Sequence, residues 1–246
     1  MSTTTVEGIL QTPDILKPIQ SSPAPPSHRI ETFAQRDLLR QPFLHELRDV
    51  INAGYYDTGV SPFEKYGPRL ESDTQLADEL QEAGFTAIAF AQNAIIGTAS
   101  LKVWLPDSEG AAWKLPGHFD QFSADEIFSG NPTVLDSLRD ESQNVPCEGD
   151  FEIAAVAITP DPRYRRKGIA ESLVKACEEE LKKRMSLAEC TELVHSCIML
   201  KSIREIQGVY WLKRGFRVVG EQYFPPFTWG YNKGFVLWAM ERELYV

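Results

Sequence analysis

Apolar side chains recur along this chain with two periods, and the switches between them mark its elements. The short run "RIETFA" predicts a strand. Leu38, Leu39, Phe43, Leu44, Leu47, Val50 and Ile51 then recur at helical spacing, with Pro42 a point of break or kink. A second helix is predicted over "TQLADELQEAG", with the Asp73 carboxylate as its cap and Gly84 as its stop. Two apolar, β-rich runs in "FTAIAFAQNAIIGTASLKVW" meet at Gln92-Asn93 and read as an antiparallel hairpin. "FEIAAVAIT" reads as one strand apolar enough to be buried on both faces.

The longest helical stripe comes next, with Ile169, Leu173, Val174, Cys177 and Leu181 opposite a charged face. Lys182, Lys183 and Arg184 stand at its C-terminal end, where the helix dipole favours cations. "ELVHSCIM" predicts a strand, "SIREIQGVYWLKRG" a helix, and "FRVVGEQYF" and "GFVLWAMEREL" a closing pair of strands. Residues 1–29, rich in Ser, Thr and Pro, are expected to form a flexible tail before a single domain over 30–246. Residues 105–150 carry Pro, Gly, Ser and many acids, and read as an insertion in that domain. The order of elements implies an α/β sandwich around a mixed sheet.

The 246 residues are 43% hydrophobic, enough for a sizeable core, and carry 35 acidic against 25 basic side chains, a formal net charge of -10. That balance argues against a general binder of nucleic acid or of anionic membranes, and tolerates cationic partners. Cys147, Cys177, Cys190 and Cys197 show no metal-binding spacing, so reduced, mostly buried thiols and no metal are expected. With no signal-like start and no long apolar run, the expected location is intracellular: the cytoplasm, with the nucleus left open. His28, His45, His118 and His195 are singletons; His195 could face a cleft, although a hydrogen-bonded core position suits it better.

Against the acidic background, "ITPDPRYRRKGIAESL" gathers Arg163, Arg165, Arg166 and Lys167 just before a helix. Cations at a helix N-terminus meet its positive dipole end and call for a compensating anion, such as a phosphate-bearing ligand. The spacing fits neither a nucleotide P-loop nor a dinucleotide fold. From Val156 to Ala170, with Arg165-x-x-Gly168-x-Ala170 at its centre, the stretch resembles the central motif of the GNAT superfamily of acetyl-CoA-dependent N-acetyltransferases. The resemblance extends in element order over residues 30–246. It implies a GNAT-like mixed, mostly antiparallel central sheet flanked by helices, with the acidic insertion between the third and fourth strands. It further implies that Arg163, Arg165, Arg166, Lys167, Gly168, Ile169 and Ala170 hold the pyrophosphate of acetyl-CoA, while backbone groups of Val156 and Ile158 align the pantetheine.

Acyl transfer to an amine needs the amine to lose a proton, and a carboxylate usually takes it. "EIAAVAI" resembles a strand of the protein-lysine acetyltransferase branch, which implies Glu152 as the base; an exposed strand-end glutamate is the plainer alternative. The resemblance puts a thiolate-protonating tyrosine where this sequence has Trp211, so that role passes to Tyr210 or to a water, or the chemistry is impaired. Arg204 stands where the family has an asparagine.

The loop "YFPPFTWGYNKGF" implies the acceptor side, with Tyr223, Phe227 and Trp229 as candidate substrate contacts. It would form an aromatic wall for an amine or, equally, a plug on the core or a homodimer interface. The insertion is either a lid or a disordered loop. The expected function is acetyl transfer to a small-molecule amine. A protein-lysine or N-terminal acetyltransferase and a catalytically weak acyl-CoA-binding regulator are the alternatives.

Overall fold

Strand pairing in a computed structural model, which describes residues 27–56, 63–104, 151–187 and 196–244, yields one twisted sheet between two helical layers. Its strands are β1 (Arg29–Ala34), β2 (Phe85–Ala91), β3 (Ala94–Val103), β4 (Phe151–Ile153), β5 (Ala157–Ile158), β6 (Ser196–Ile203), β7 (Arg217–Phe224) and β8 (Phe235–Leu244). The order across the sheet is β1-β2-β3-β4-β6-β8-β7, with β5 on β3. Every pairing is antiparallel except β4 with β6.

Alternation along β2 feeds both layers, as the two-residue period of a strand requires. Phe85, Ala87 and Ala89 join a core beneath α4 (Ile169–Leu187), whereas Ile88 and Phe90 join the core formed with α1 (Gln35–Leu38), α2 (Leu44–Tyr56) and α3 (Gln75–Leu80). On α4 the expected stripe is buried, from Ile169 to Leu181. Leu173 and Leu181 each contribute roughly 1.5–3 kcal/mol by that burial. Cys177, on the same face, donates its thiol to Ala99 O, and burial pushes its pKa up to about 12. Cys197 is half-buried; Cys147, Cys190, His118 and His195 lie outside the described residues, as do the tail to residue 26 and the segment 105–150 that separates β3 from β4.

Of the break or kink expected at Pro42 the chain takes the break, into α1 and α2, because Pro42 lacks the N–H that would continue the ladder. Three expectations change. Asp73 does not cap α3; it pairs instead with Arg48 at 2.8 Å and lies 3.4 Å from His45. The expected strand "FEIAAVAIT" is broken at residues 154–156 into β4 and β5, and "SIREIQGVYWLKRG" is a π-helical turn (Arg204–Gly208) leading into α5 (Val209–Leu212). Among the described residues no helix is long and apolar enough to cross a membrane.

Candidate active site

The break after β4 opens the sheet. Phe151–Ile153 pair with Ile198–Leu200 on β6 and with β3, whereas Ala157 and Ile158 pair with β3 alone. From residue 154 onward the two central strands therefore part, and among the described residues one edge of β5 is left without a strand neighbour. A cavity of about 670 Å³ lies at this opening, a size that suits a small ligand.

Helix α2 reaches the opening through Gly54. A Cβ there would lie 3.0 Å from Ala157 Cβ and 3.1 Å from Ile158 O, so glycine lets the helix lie close to β5 without crowding. The next residue, Tyr55, lines the cavity together with Val156 and Arg69. Tyr55 is half-buried overall; burial around its hydroxyl nevertheless pushes its pKa up, against the opposing pull of Arg69. Arg69 is held in turn by two hydrogen bonds to Glu79, at 2.8 and 2.6 Å, while Asn52 on α2 accepts from the N–H groups of Arg69 and Leu70.

The segment before Arg69 forms a roof. Lys65 makes an isolated antiparallel bridge with Tyr231, Tyr66 N–H donates to Gly230 O at 2.7 Å, and Asn232 N–H donates to Glu64 O at 3.0 Å. Gly230 is required at this crossing: its φ is +78°, and a Cβ would lie 1.9 Å from Tyr66 O. Just before it the β7–β8 loop holds Phe227 and Trp229 at φ +70° and +49°. Bulky residues in that region cost on the order of 1–3 kcal/mol each, and such strain gathers at ligand clamps. The loop's rings close on one another: Phe235 stacks on Phe224 at 5.4 Å and meets Trp229 and Tyr231 at 5.6 and 5.4 Å.

Several of the residues singled out in the sequence meet here. Glu152 and Val156 line the cavity with Trp229. Glu152 is 12% exposed and pairs across the strands with Lys102 at 3.3 Å. Of the two carboxylates on the lining, Glu71 is exposed and Glu152 largely buried. Tyr223 and Phe227 are not on the lining; the Tyr223 phenol crosses Gly234, and Phe227 is 76% exposed. Tyr210 also stands apart, its hydroxyl buried without a partner among the described residues and its ring under the Arg214 guanidinium. Trp211 is core, packed on Phe216 and Tyr210. Tyr55, Lys65 and Arg69 were missed; only their proximity in space marks them.

The basic motif follows β5 directly in the chain. Arg166 and Gly168 take φ of +57° and +79°, turning the chain into α4. The first hydrogen bond that closes the helix runs from Ser172 N–H to Gly168 O, so the N–H groups of Ile169, Ala170 and Glu171 have no intrahelical partner. Arg163 is committed to Asp161, with contacts of 2.6–3.1 Å, and that pairing depresses the Asp161 pKa. Arg165, Arg166 and Lys167 flank the turn.

An unpaired strand edge beside a cationic helix N-terminus suits a ligand with an amide-containing arm and a phosphate end. The sequence matches the Acetyltransferase (GNAT) family over residues 44–204, and the chain belongs to that family. A search of the curated proteins found no match. Among solved structures, an acetyltransferase of the GNAT family from Streptococcus pneumoniae is 11% identical and covers 89% of this chain and 99% of its own, with a TM-score of 0.52. The ribosomal-protein-S18-alanine N-acetyltransferase from Escherichia coli is 12% identical over 89% and 96%, with a TM-score of 0.51. PaiA N-acetyltransferase from Thermoplasma acidophilum, in complex with coenzyme A, is 16% identical over 88% and 99%, with a TM-score of 0.47. Identities this low speak to the fold alone; the family match makes the chain an acyltransferase with acetyl-CoA as co-substrate.

Proposed function

We propose that the protein transfers an acetyl group from acetyl-CoA to the primary amine of a small molecule, by direct attack within a ternary complex. The observation that carries this reading is the cavity at the strand opening, roofed by the Lys65–Tyr231 bridge and walled by Glu152. A roof suits a small acceptor better than a polypeptide, which would need an open groove.

Acetyl-CoA supplies the activated acyl carbon. The N–H groups from Ile169 to Glu171, with the side chains of Arg165, Arg166 and Lys167, would hold its phosphates, and the free edge at Val156 and Ile158 its amide arm. Glu152, fixed at the wall by Lys102, accepts the proton that the acceptor amine must shed. The Val156 N–H, at the point where the strands part, donates to the oxygen on which negative charge develops. Tyr55 is the better-placed phenol to return a proton to the departing thiolate, since it lines the cavity. Tyr210 keeps a weaker claim, because it does not line the cavity.

Release of free thiol from acetyl-CoA tests the proposal, with pooled polyamines, amino acids, arylamines, aminoglycosides and lysine peptides as acceptors. Release that depends on a small-molecule pool and falls in Glu152→Gln is the expected result. Release with lysine peptides only would move the assignment to proteins. Saturable acetyl-CoA binding without release from any pool would favour a regulator, the reading that Trp211 in the tyrosine position motivates.

A further inference from the structure

Proton transfer at the opening needs Glu152, but it gives no reason for the cations around it. Four of them line the cavity, Lys65, Arg69, Lys102 and Lys201, in a protein whose net charge is -10. Lys102 is matched by Glu152 and Arg69 by Glu79, while Lys201 lies over the Trp104 ring at 4.8 Å from its centroid.

Lys65 differs from these three. It is only 6% exposed, its ammonium donates to Gly67 O at 2.8 Å, and among the described residues it forms no ion pair with a carboxylate. Burial, and secondarily the charge of Arg69, pull its pKa below the usual lysine value. The backbone bridge to Tyr231 fixes its Cα at the roof. A buried ammonium with a single neutral acceptor is costly unless an anion joins it, and the cavity is where an anion can arrive. Ser202, which also lines the cavity, has its hydroxyl buried with no partner among the described residues. Against the four cations stand Glu71 and Glu152, which also line the cavity, and Glu79 behind Arg69, which leaves one positive charge to be met.

We propose that the acceptor is an amino acid, whose carboxylate binds the Lys65 ammonium while its amine faces Glu152 and its side chain lies against Trp229 and Tyr231. A single excess charge matches one carboxylate, and the aromatic residues on the lining suit an apolar or aromatic side chain. The inference rests on the N-acetyltransferase reading and narrows it to one substrate class.

Matched pairs test it: phenylalanine against phenethylamine, tryptophan against tryptamine, and leucine against isoamylamine, each assayed by thiol release. In the wild type, kcat/KM for the amino acid should exceed that of its decarboxylated partner by about 10², the scale of a buried charge pair. Lys65→Met, nearly isosteric, should erase that preference by raising KM for the amino acid, with kcat and the amine's kinetics little changed; Lys65→Gln should fall between. Melting curves of both variants check that they fold. Tryptophan fluorescence supplies a readout without turnover: N-acetylphenylalanine should quench the wild type, its amide should not, and Lys65→Met should respond to neither. If thiol release fails with every acceptor yet this quenching pattern appears, the transferase reading falls and carboxylate recognition at Lys65 stands. Equal use of amine and amino acid, absence of carboxylate binding by either readout, or a Lys65 acetylated by acetyl-CoA alone would overturn the inference.

Discussion

The donor and acceptor ends of the proposed site are built in different ways. At the donor end, a few consecutive residues from Asp161 to Ala170 supply the turn, the cations and the helix N–H groups, so the sequence itself carries the geometry. At the acceptor end, the chain is pinned by contacts between residues as much as 168 positions apart, as between Glu64 and Asn232. The lesson is one of fragility: local geometry survives the loss of a contact, whereas a roof made of two distant segments depends on every crossing.

Changes at the centre of the opening should have the largest effect and separate chemistry from binding at either end. Glu152→Gln is expected to lower kcat by ~10²–10⁴, the usual range for a general base, with acetyl-CoA affinity by calorimetry unchanged. Tyr55→Phe should cost on the order of 10² in kcat, while Tyr210→Phe leaves turnover near wild type. Equal losses in the two tyrosine variants would remove the preference for Tyr55.

At the acceptor end, Gly230→Ala should break the crossing with Tyr66, because the new Cβ cannot coexist with that carbonyl. KM for the acceptor should rise and the melting temperature fall by several degrees, as a loss of about 1–2 kcal/mol at a left-handed position implies. At the donor end, the double change Arg166→Ala and Lys167→Ala should weaken acetyl-CoA binding by only about tenfold, and added salt should shrink the difference. A smaller effect comes from the core beneath both ends. Cys177 stays protonated in the fold up to about pH 12, whereas its ordinary value is 9.0. The unfolded thiol ionises first, so this contribution to stability is complete below about pH 9 and is lost as pH rises toward 12. Urea midpoints at pH 8 and pH 10 would check the sign.

Period and composition made most elements legible, including the hairpin at Gln92-Asn93, the α4 stripe and the closing strands. They did not show the break in "FEIAAVAIT", because Ala154, Ala155 and Val156 look like strand whether or not β6 pairs with them. Nor did they show the π-helical turn at Arg204–Gly208, whose extra residue per turn changes how Arg204 is oriented relative to Trp211. The donor motif could be read because it is contiguous. Tyr55, Lys65 and Arg69 could not, since each takes its role from partners that only the folded chain brings near. The acidic composition tolerated cationic partners, yet the cavity gathers cations: net charge describes the whole surface, and the site is a local exception.

Gly54 carries a cost for anyone wishing to make this protein more heat-resistant. Replacing a mid-helix glycine by alanine ordinarily favours the helix by about 1 kcal/mol, which makes the position an obvious target. Here the added methyl would meet Ala157 Cβ and Ile158 O at 3.0 and 3.1 Å, so α2 and β5 would have to give by a few tenths of an ångström beside Tyr55, which lines the cavity. Selection for stability alone would therefore tend to accept a substitution that selection for turnover rejects.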